Sequence, residues 1–254
     1  MKSTERFTDR VEDYVKYRPH YPQAAFEVLR ERVGDPSVSA IADIGSGTGI
    51  STKPLLVMGF KVFAVEPNAA MRVAAETDLS RYPRFHAIAA TAEETTLKDG
   101  SVDAVLSAQA FHWFDRARVR NEFQRILKSG GWVAIMWNDR DRTETALAQE
   151  YEQLLQEFGS DYDQVKARGQ AASERGSLAD FFRPHAYEVM TFKNHQDLDF
   201  EAFRGRALSA SYLPGPPHPR YAALIDELER IFARHQSGGE VRIDYETKLY
   251  LGQF

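Results

Sequence analysis

The stretch DIGSGTG, residues 43–49, restricts this 254-residue chain more than any other. It follows the apolar run 38–44 and opens a helix-period segment. Gly45, Gly47 and Gly49 therefore permit a tight turn and let a ligand approach backbone that a Cβ would block. Amides at the start of the following helix favour an anionic or hydrogen-bond-accepting group. Glu66 ends the next apolar run, about 20 residues on, where a carboxylate in a doubly wound fold accepts both hydroxyls of a ribose. The pair predicts a strand, turn, helix and strand that hold a nucleotide. A plain glycine turn with a solvated charge beside it is the blander reading of the same residues.

The rest of the first half extends that unit. Short apolar runs at 61–66, 84–88, 102–108 and 132–137 alternate with helix-period segments, the pattern of a parallel sheet covered on both faces. Between the last two runs, Asp115 is placed to cap a helix whose inner face carries Val119, Phe123, Ile126 and Leu127 and which Gly130 and Gly131 are expected to end. Pro54 is awkward inside the helix after the glycine turn unless that helix begins near Ser51. From Asn138 the chain turns polar and helical, with Leu147, Tyr151, Leu154, Leu155 and Phe158 on one face, and a Gly- and Arg-containing segment follows at 166–176. Strand character resumes at 187–192 and at 241–251. In the latter run Val241, Ile243, Tyr245, Thr247, Leu249 and Leu251 alternate with Arg242, Asp244, Glu246 and Lys248, as in an antiparallel strand near an edge. Helices are expected at 200–208 and, with Tyr221, Leu224, Ile225, Leu228 and Phe232 inward, after the turn-rich YLPGPPHP. The expected fold is α/β: a doubly wound, seven-stranded, mostly parallel sheet with an antiparallel last strand and helical cover insertions.

Two kinds of ligand use an acid at the end of the second strand, and the turn separates them. Its spacing is G-x-G-x-G, with the third glycine one residue earlier than in the dinucleotide fingerprint. Asp43, two residues before Gly45, would repel a pyrophosphate; it suits a cationic amino-acid moiety, or the ordering of the loop. A nicotinamide oxidoreductase is thereby the weaker alternative to a protein of S-adenosylmethionine.

These residues resemble the class I S-adenosylmethionine-dependent methyltransferases. DIGSGTG is similar to the first motif of that family, including Ser46 and Thr48 between the glycines, and VEPN, residues 65–68, to the second. The resemblance implies a Rossmann-like fold with S-adenosylmethionine as cofactor. It makes Glu66 the ribose ligand, followed by Pro67, and sets Asn68 to Met71 beside the adenine. The segment from Thr91 to Asp115 is similar to the remainder of the core, which implies Ala92 and Glu93 at the adenine edge and Ser107 to Gln109 beneath the methionine part. FHWFD, with the N-terminal YRPHYP, resembles the subgroup that contains trans-aconitate methyltransferase. Beyond Asn138, where such enzymes keep substrate specificity, the resemblance is weak.

Methyl transfer from a sulfonium is an in-line displacement, so alignment and exclusion of water are the protein's main tasks. A carboxylate acceptor is already ionised, whereas an alcohol or ammonium must lose a proton, and His112, after the fourth strand, is then the candidate base. A packing or hydrogen-bonding role on the loop is the plainer reading of His112. Trp113 and Phe111 can line a pocket around the cationic donor or fill the core. Tyr14, Tyr17, Arg18 and Tyr21 read as a lid, with Arg18 paired to the methionyl carboxylate, or else as a segment packed on the sheet. The N-terminal stretch has no apolar periodicity long enough for a robust helix of its own. Arg204, Arg206, Tyr212 and His218 lie in the later cover region, where an acidic acceptor could meet them.

Composition removes other classes. Lys and Arg total 32 against 37 acidic residues, a net charge of −5 with a pI near 5.8, which gives no reason to expect nucleic acid or an anionic membrane as partner. Without cysteine there is no disulfide framework and no thiolate site. The charged first twenty residues do not read as a signal peptide, and no apolar stretch is long enough for a membrane span. No H-E-x-x-H or G-x-S-x-G pattern occurs. The expectation is a cytoplasmic enzyme that methylates a small-molecule acceptor, most readily at a carboxylate oxygen. A non-catalytic module that merely binds S-adenosylmethionine is the other class open to these residues. Within one domain overall, 1–36 reads as the N-terminal lid segment, 37–138 as the cofactor-binding core, 139–185 as the helical insertion and 186–254 as the last strands and cover helices.

Overall fold

A computed structural model describes residues 10–173 and 175–254; the first nine residues of the lid segment and residue 174 of the insertion lie outside it. The chain runs through α1 (Val11–Tyr17), α2 (Gln23–Val33), β1 (Ala40–Ile44), α3 (Thr52–Val57), β2 (Lys61–Val65), α4 (Ala69–Leu79), β3 (Phe85–Ile88) and β4 (Val102–Ala108). A short 3-10 turn at Phe111–Trp113 leads to α5 (Arg116–Ile126) and β5 (Leu127–Arg140). Then follow α6 (Ala146–Phe158), α7 (Tyr162–Ser173), α8 (Arg175–Phe182), β6 (Tyr187–Leu198), α9 (Phe200–Leu208), α10 (Tyr221–His235) and β7 (Val241–Gln253).

The strands form one sheet of order β3-β2-β1-β4-β5-β7-β6. β1 to β5 pair in parallel, and β7 runs antiparallel between β5 and β6. β1 is buried on both faces, which explains its unbroken apolar character. Ile44 and Ala42 join a core with Phe111, Phe123 and Phe182, while Ile41 meets Phe26, Leu29 and Leu55 on the opposite side. A third core, under α6, α9 and α10, takes Val241, Ile243 and Tyr245 from β7. That strand alternates as its sequence predicts, and it lies next to the edge strand β6.

Several boundaries differ from expectation, each for a local reason. α5 ends at Ile126, and Leu127 already pairs with Val102 as strand. Gly130 and Gly131 thus sit inside β5, beside a register shift against β4, and do not end the helix. Pro54 falls within the first turn of α3, where its missing N–H would have had no helical partner. The N-terminal segment does form helices. α2 buries Ala25, Phe26 and Leu29 against the sheet, and the short α1 is held by tertiary bonds. Arg10 donates to the carbonyls of Leu208, Ala210 and Leu213, while Gln196 donates to Tyr17 O at 3.0 Å. Asn138 and Asn194 both donate to His20 O, at 3.2 and 2.7 Å. Among the described residues no helix is long and apolar enough to cross a membrane.

Candidate active site

The order β2-β1-β4 reverses direction of travel at β1, and the loops after β1 and β4 flank a cleft at that switch point. The glycine loop is tied to the neighbouring strand by Gly45 N and Ser46 N, which donate to Val65 O at 2.9 and 3.2 Å. Gly45 adopts φ +71°, and a Cβ there would stand 2.5 Å from the Ala110 Cβ, so no other residue fits. Across the cleft Gln109 also has a positive φ, 55°, an unusual state for a residue with a side chain; its Oε1 accepts the Asn138 N–H at 3.0 Å. That bond fixes the end of β4 against β5.

Glu66 lies just past β2 and is 7% exposed. Its two carboxylate oxygens accept the backbone N–H groups of Gly47 at 2.9 Å and Asn68 at 2.8 Å. Burial raises its pKa above the ordinary value, and those two bonds work against the rise. Each oxygen retains a lone pair toward the cleft. Asn68 caps α4 by accepting the Met71 N–H at 3.1 Å, and Arg72 braces the turn by donating to Glu66 O at 2.9 Å.

A cavity of about 160 Å³ is lined here by Gly45, Gly47, Glu66, Pro67, Asn68 and Met71, and by Thr91, Ala92, Glu93 and Gln109 opposite. Tyr14, Trp113 and Phe114 also line it. The Glu93 carboxylate accepts the Asp115 N–H at 3.0 Å and so also fixes the start of α5. Asp43 does not line this cavity. It is fully buried beneath the loop, where its Oδ2 accepts from the hydroxyls of Ser51 and Thr52, both at 2.7 Å, and its Oδ1 has no partner. Loop ordering is thus the role that its bonds display. Ser46 and Ser107 lie behind the cavity as well, with buried hydroxyls that lack partners. Thr48 and Gly49 border a separate groove with His20 and Lys53. Orphan oxygens beneath a glycine cradle, with an acid at the ribose position, fit the amino-acid and ribose parts of S-adenosylmethionine.

Burial pushes the Asp43 pKa up to about 6, with the Glu66 charge adding to the rise, and the two hydroxyl bonds oppose it. The folded protein then holds this proton more tightly than the unfolded chain. Its contribution to stability falls as pH rises from the ordinary carboxylate value to about 6, and is constant above that. At about 1.4 kcal/mol per pH unit between the two values the loss is roughly 2–3 kcal/mol. Asp43→Asn should remove this slope, so the stability difference between variant and wild type, read by urea unfolding, should grow in the variant's favour from pH 4 to 6. Parallel curves would remove Asp43 as the source.

A second cavity, of about 570 Å³, adjoins the first and shares Tyr14, Gln109 and Trp113 with it. Here lie His112, on the 3-10 turn, and Tyr212. Arg18, expected on the methionyl carboxylate, lines this cavity and not the smaller one, because the C-terminal end of α1 points toward α9. Tyr17 lines neither: its ring packs against Gly205 of α9, and its hydroxyl donates to Glu201 at 2.7 Å. Arg204 and His218 are likewise outside, the latter accepting the Arg220 N–H in its own turn. Trp137, Arg140, Arg142, Tyr151, Lys166 and Lys248 join the wall without having been singled out by sequence. The wall is strongly cationic. Arg140 and Lys166 share Glu152, each at 2.6 Å, and Lys248 meets Asp139 at 3.0 Å, while Arg18 and Arg206 have no ion-pair partner among the described residues.

Comparison with known proteins agrees with this geometry. Residues 42–135 match the methyltransferase domain family. An uncharacterized methyltransferase of Mycobacterium tuberculosis is 31% identical over 229 residues, 90% of this chain and 86% of that protein. Among solved structures, a protein of Anaeromyxobacter dehalogenans assigned as a type II methyltransferase superposes with a TM-score of 0.68 at 23% identity, over 93% of this chain and 98% of that one. Phosphoethanolamine N-methyltransferase 2 of Haemonchus contortus, solved with phosphomonomethylethanolamine and S-adenosylhomocysteine, superposes with a TM-score of 0.57 at 14% identity, over 97% of this chain and 58% of that one. The chain belongs to the methyltransferase domain family and is a class I S-adenosylmethionine-dependent methyltransferase.

Proposed function

We propose that this enzyme transfers the methyl group to an oxygen of a small anionic molecule, a carboxylate of an organic acid. The observation that carries the reading is the wall of the 570 Å³ cavity, where Arg18, Arg140, Arg142, Lys166, Arg206 and Lys248 outnumber the acids that face them. A cationic acceptor would be repelled there, and a neutral one would leave buried charge uncompensated. The likeness of FHWFD and YRPHYP to the trans-aconitate methyltransferase subgroup points the same way.

S-adenosylmethionine, when bound, supplies a methyl carbon on a sulfonium open to in-line attack. The chain's own part is binding and alignment. Glu66, with Gly47 and Asn68 behind it, holds the ribose, and the pocket from Pro67 to Met71, with Thr91, Ala92 and Glu93, takes the adenine. The cationic wall orients the acceptor, while Tyr14 and Trp113, at the junction of the two cavities, exclude water from the line of transfer. An ionised carboxylate has no proton to lose, so His112 acts as part of the wall and not as a base. The enzyme works in the cytoplasm on a soluble metabolite and requires neither nucleic acid nor membrane as partner.

Transfer of labelled methyl from S-adenosylmethionine to a panel of small organic acids, with product analysis, tests the reading. The expected product is a methyl ester, which mild alkali hydrolyses to release labelled methanol. An alkali-stable product, methylated at nitrogen or carbon, would overturn it.

A further inference from the structure

Two guanidinium groups in the larger cavity carry more than a general preference for anions. Arg206, on α9, is 8% exposed and donates from Nε to the Tyr245 hydroxyl at 3.1 Å. Arg18, just after α1, stacks 4.8 Å over the Tyr14 ring and donates from one terminal nitrogen to Ser209 O at 3.0 Å, while its buried Nε has no partner. The two belong to one patch, because the Ser209 hydroxyl donates in turn to Arg206 O at 2.7 Å. Burial lowers the Arg18 pKa, and the Arg206 charge lowers it further, so Arg18 lies within the field of Arg206. Other cations of the wall have Glu152 or Asp139 to balance them, but among the described residues this pair has no carboxylate. Two like charges taken out of water with no counterion are costly. A group with two or more anionic oxygens between them would reverse the sign of that interaction and use the planar donor forks of both side chains.

We propose that Arg18 and Arg206 form an anion subsite for a second charged group of the acceptor, distinct from the carboxylate that is methylated. This rests on the reading of the larger cavity as the acceptor site. The acceptor is therefore at least a dianion, a dicarboxylate or a carboxylate with a phosphate. Because Arg18 belongs to the N-terminal segment and Arg206 to α9, the same anion pins that segment over the cavity. The Tyr17 ring on Gly205 sets the two helices at contact distance and leaves the anion to join their charges.

The test has two arms, both on the full-length protein saturated with S-adenosylhomocysteine. In the first, thermal unfolding is followed against inorganic phosphate, with sodium chloride at matched ionic strength as reference. Phosphate should raise the Tm where chloride does not, and its apparent Kd should rise at least tenfold in Arg18→Met and in Arg206→Met, the double variant being no worse than either single one. Arg206→Lys, which keeps the charge, should retain part of the response and guards against a folding defect in the methionine variant. Equal shifts with phosphate and chloride, or full responses in both methionine variants, would overturn the subsite. In the second arm, α,ω-dicarboxylates of three to six carbons are compared with their monomethyl esters. If the second group is a carboxylate, at least one diacid should stabilise more than its ester, with the difference lost in Arg206→Met, and measurable but equal stabilisation by diacids and esters would overturn the proposal. Phosphate strong with all diacids inert would assign the second anion as a phosphate. An alkali-stable methylated product would sink carboxylate methylation and leave these binding results standing, so the two readings fail separately.

Discussion

Glu66→Ala is expected to weaken S-adenosylhomocysteine binding by a factor of about 10 to 150, from the loss of a charge-assisted hydrogen-bond pair of order 1.5–3 kcal/mol. Both carboxylate oxygens are already held by N–H groups, so the carboxylate needs no reorganisation to receive two hydroxyls. The variant also leaves the Gly47 and Asn68 amides without their acceptor, which should loosen the glycine loop. Glu66→Gln is not a conservative control, because one of those two amides would face a donor. Calorimetric titration reads the effect directly. Unchanged affinity in Glu66→Ala would remove Glu66 from the ribose site.

Gly205→Ala should uncouple the N-terminal segment from α9. A Cβ at this position would stand 2.1 Å from two atoms of the Tyr17 ring and 2.8 Å from its root, so the ring must leave and no rotation at a flexible tip relieves the clash. Overpacking of this kind costs about 1–3 kcal/mol, and it falls on α1, because α9 itself gains helix propensity from alanine. The expected result is faster amide exchange in residues 11–18 with little change in exchange over the central strands, and methyl transfer reduced at least tenfold. Uniformly faster exchange would mean that α9 is part of the global folding unit, and an undisturbed α1 would mean that the ring has another place to go.

What sequence could reveal follows from how far apart in the chain the cooperating residues lie. The cofactor side was legible because its parts are consecutive: a buried strand, a turn that needs positive φ at Gly45, and an acid at the end of the next strand. Its finer division was not. Ser46, Thr48, Gly49 and Ser107 share motifs with lining residues, yet they do not themselves line the smaller cavity. The wall of the larger cavity was largely hidden. Arg140 sits at the end of β5 and Lys248 on β7, and each alone looks like an ordinary solvated charge; Arg206 on α9 and Arg18 after α1 were read separately, one toward an acidic acceptor and one toward the methionyl carboxylate, and only the placement of β7 beside β5 under the cover helices brings the four together. Trp137 gave no signal either, since a tryptophan ending an apolar strand reads as core. α2 was within reach: Phe26, Leu29 and Val33 have helical spacing, obscured by the exposed charges between them. Gly130 and Gly131 misled because a glycine pair after a helix marks a helix end more often than a strand irregularity.

The bonds that hold the N-terminal segment have a consequence for how this molecule can change over generations. Arg10 reaches the carbonyls of Leu208, Ala210 and Leu213, Arg18 that of Ser209, and Gln196 and Asn194 those of Tyr17 and His20. Every amino acid presents the same carbonyl. Substitutions at 208–213 that keep the backbone path therefore leave the fastening intact while they replace side chains such as Tyr212 in the wall of the larger cavity. New linings of the larger cavity can be explored one residue at a time, with the cover still in place at each step.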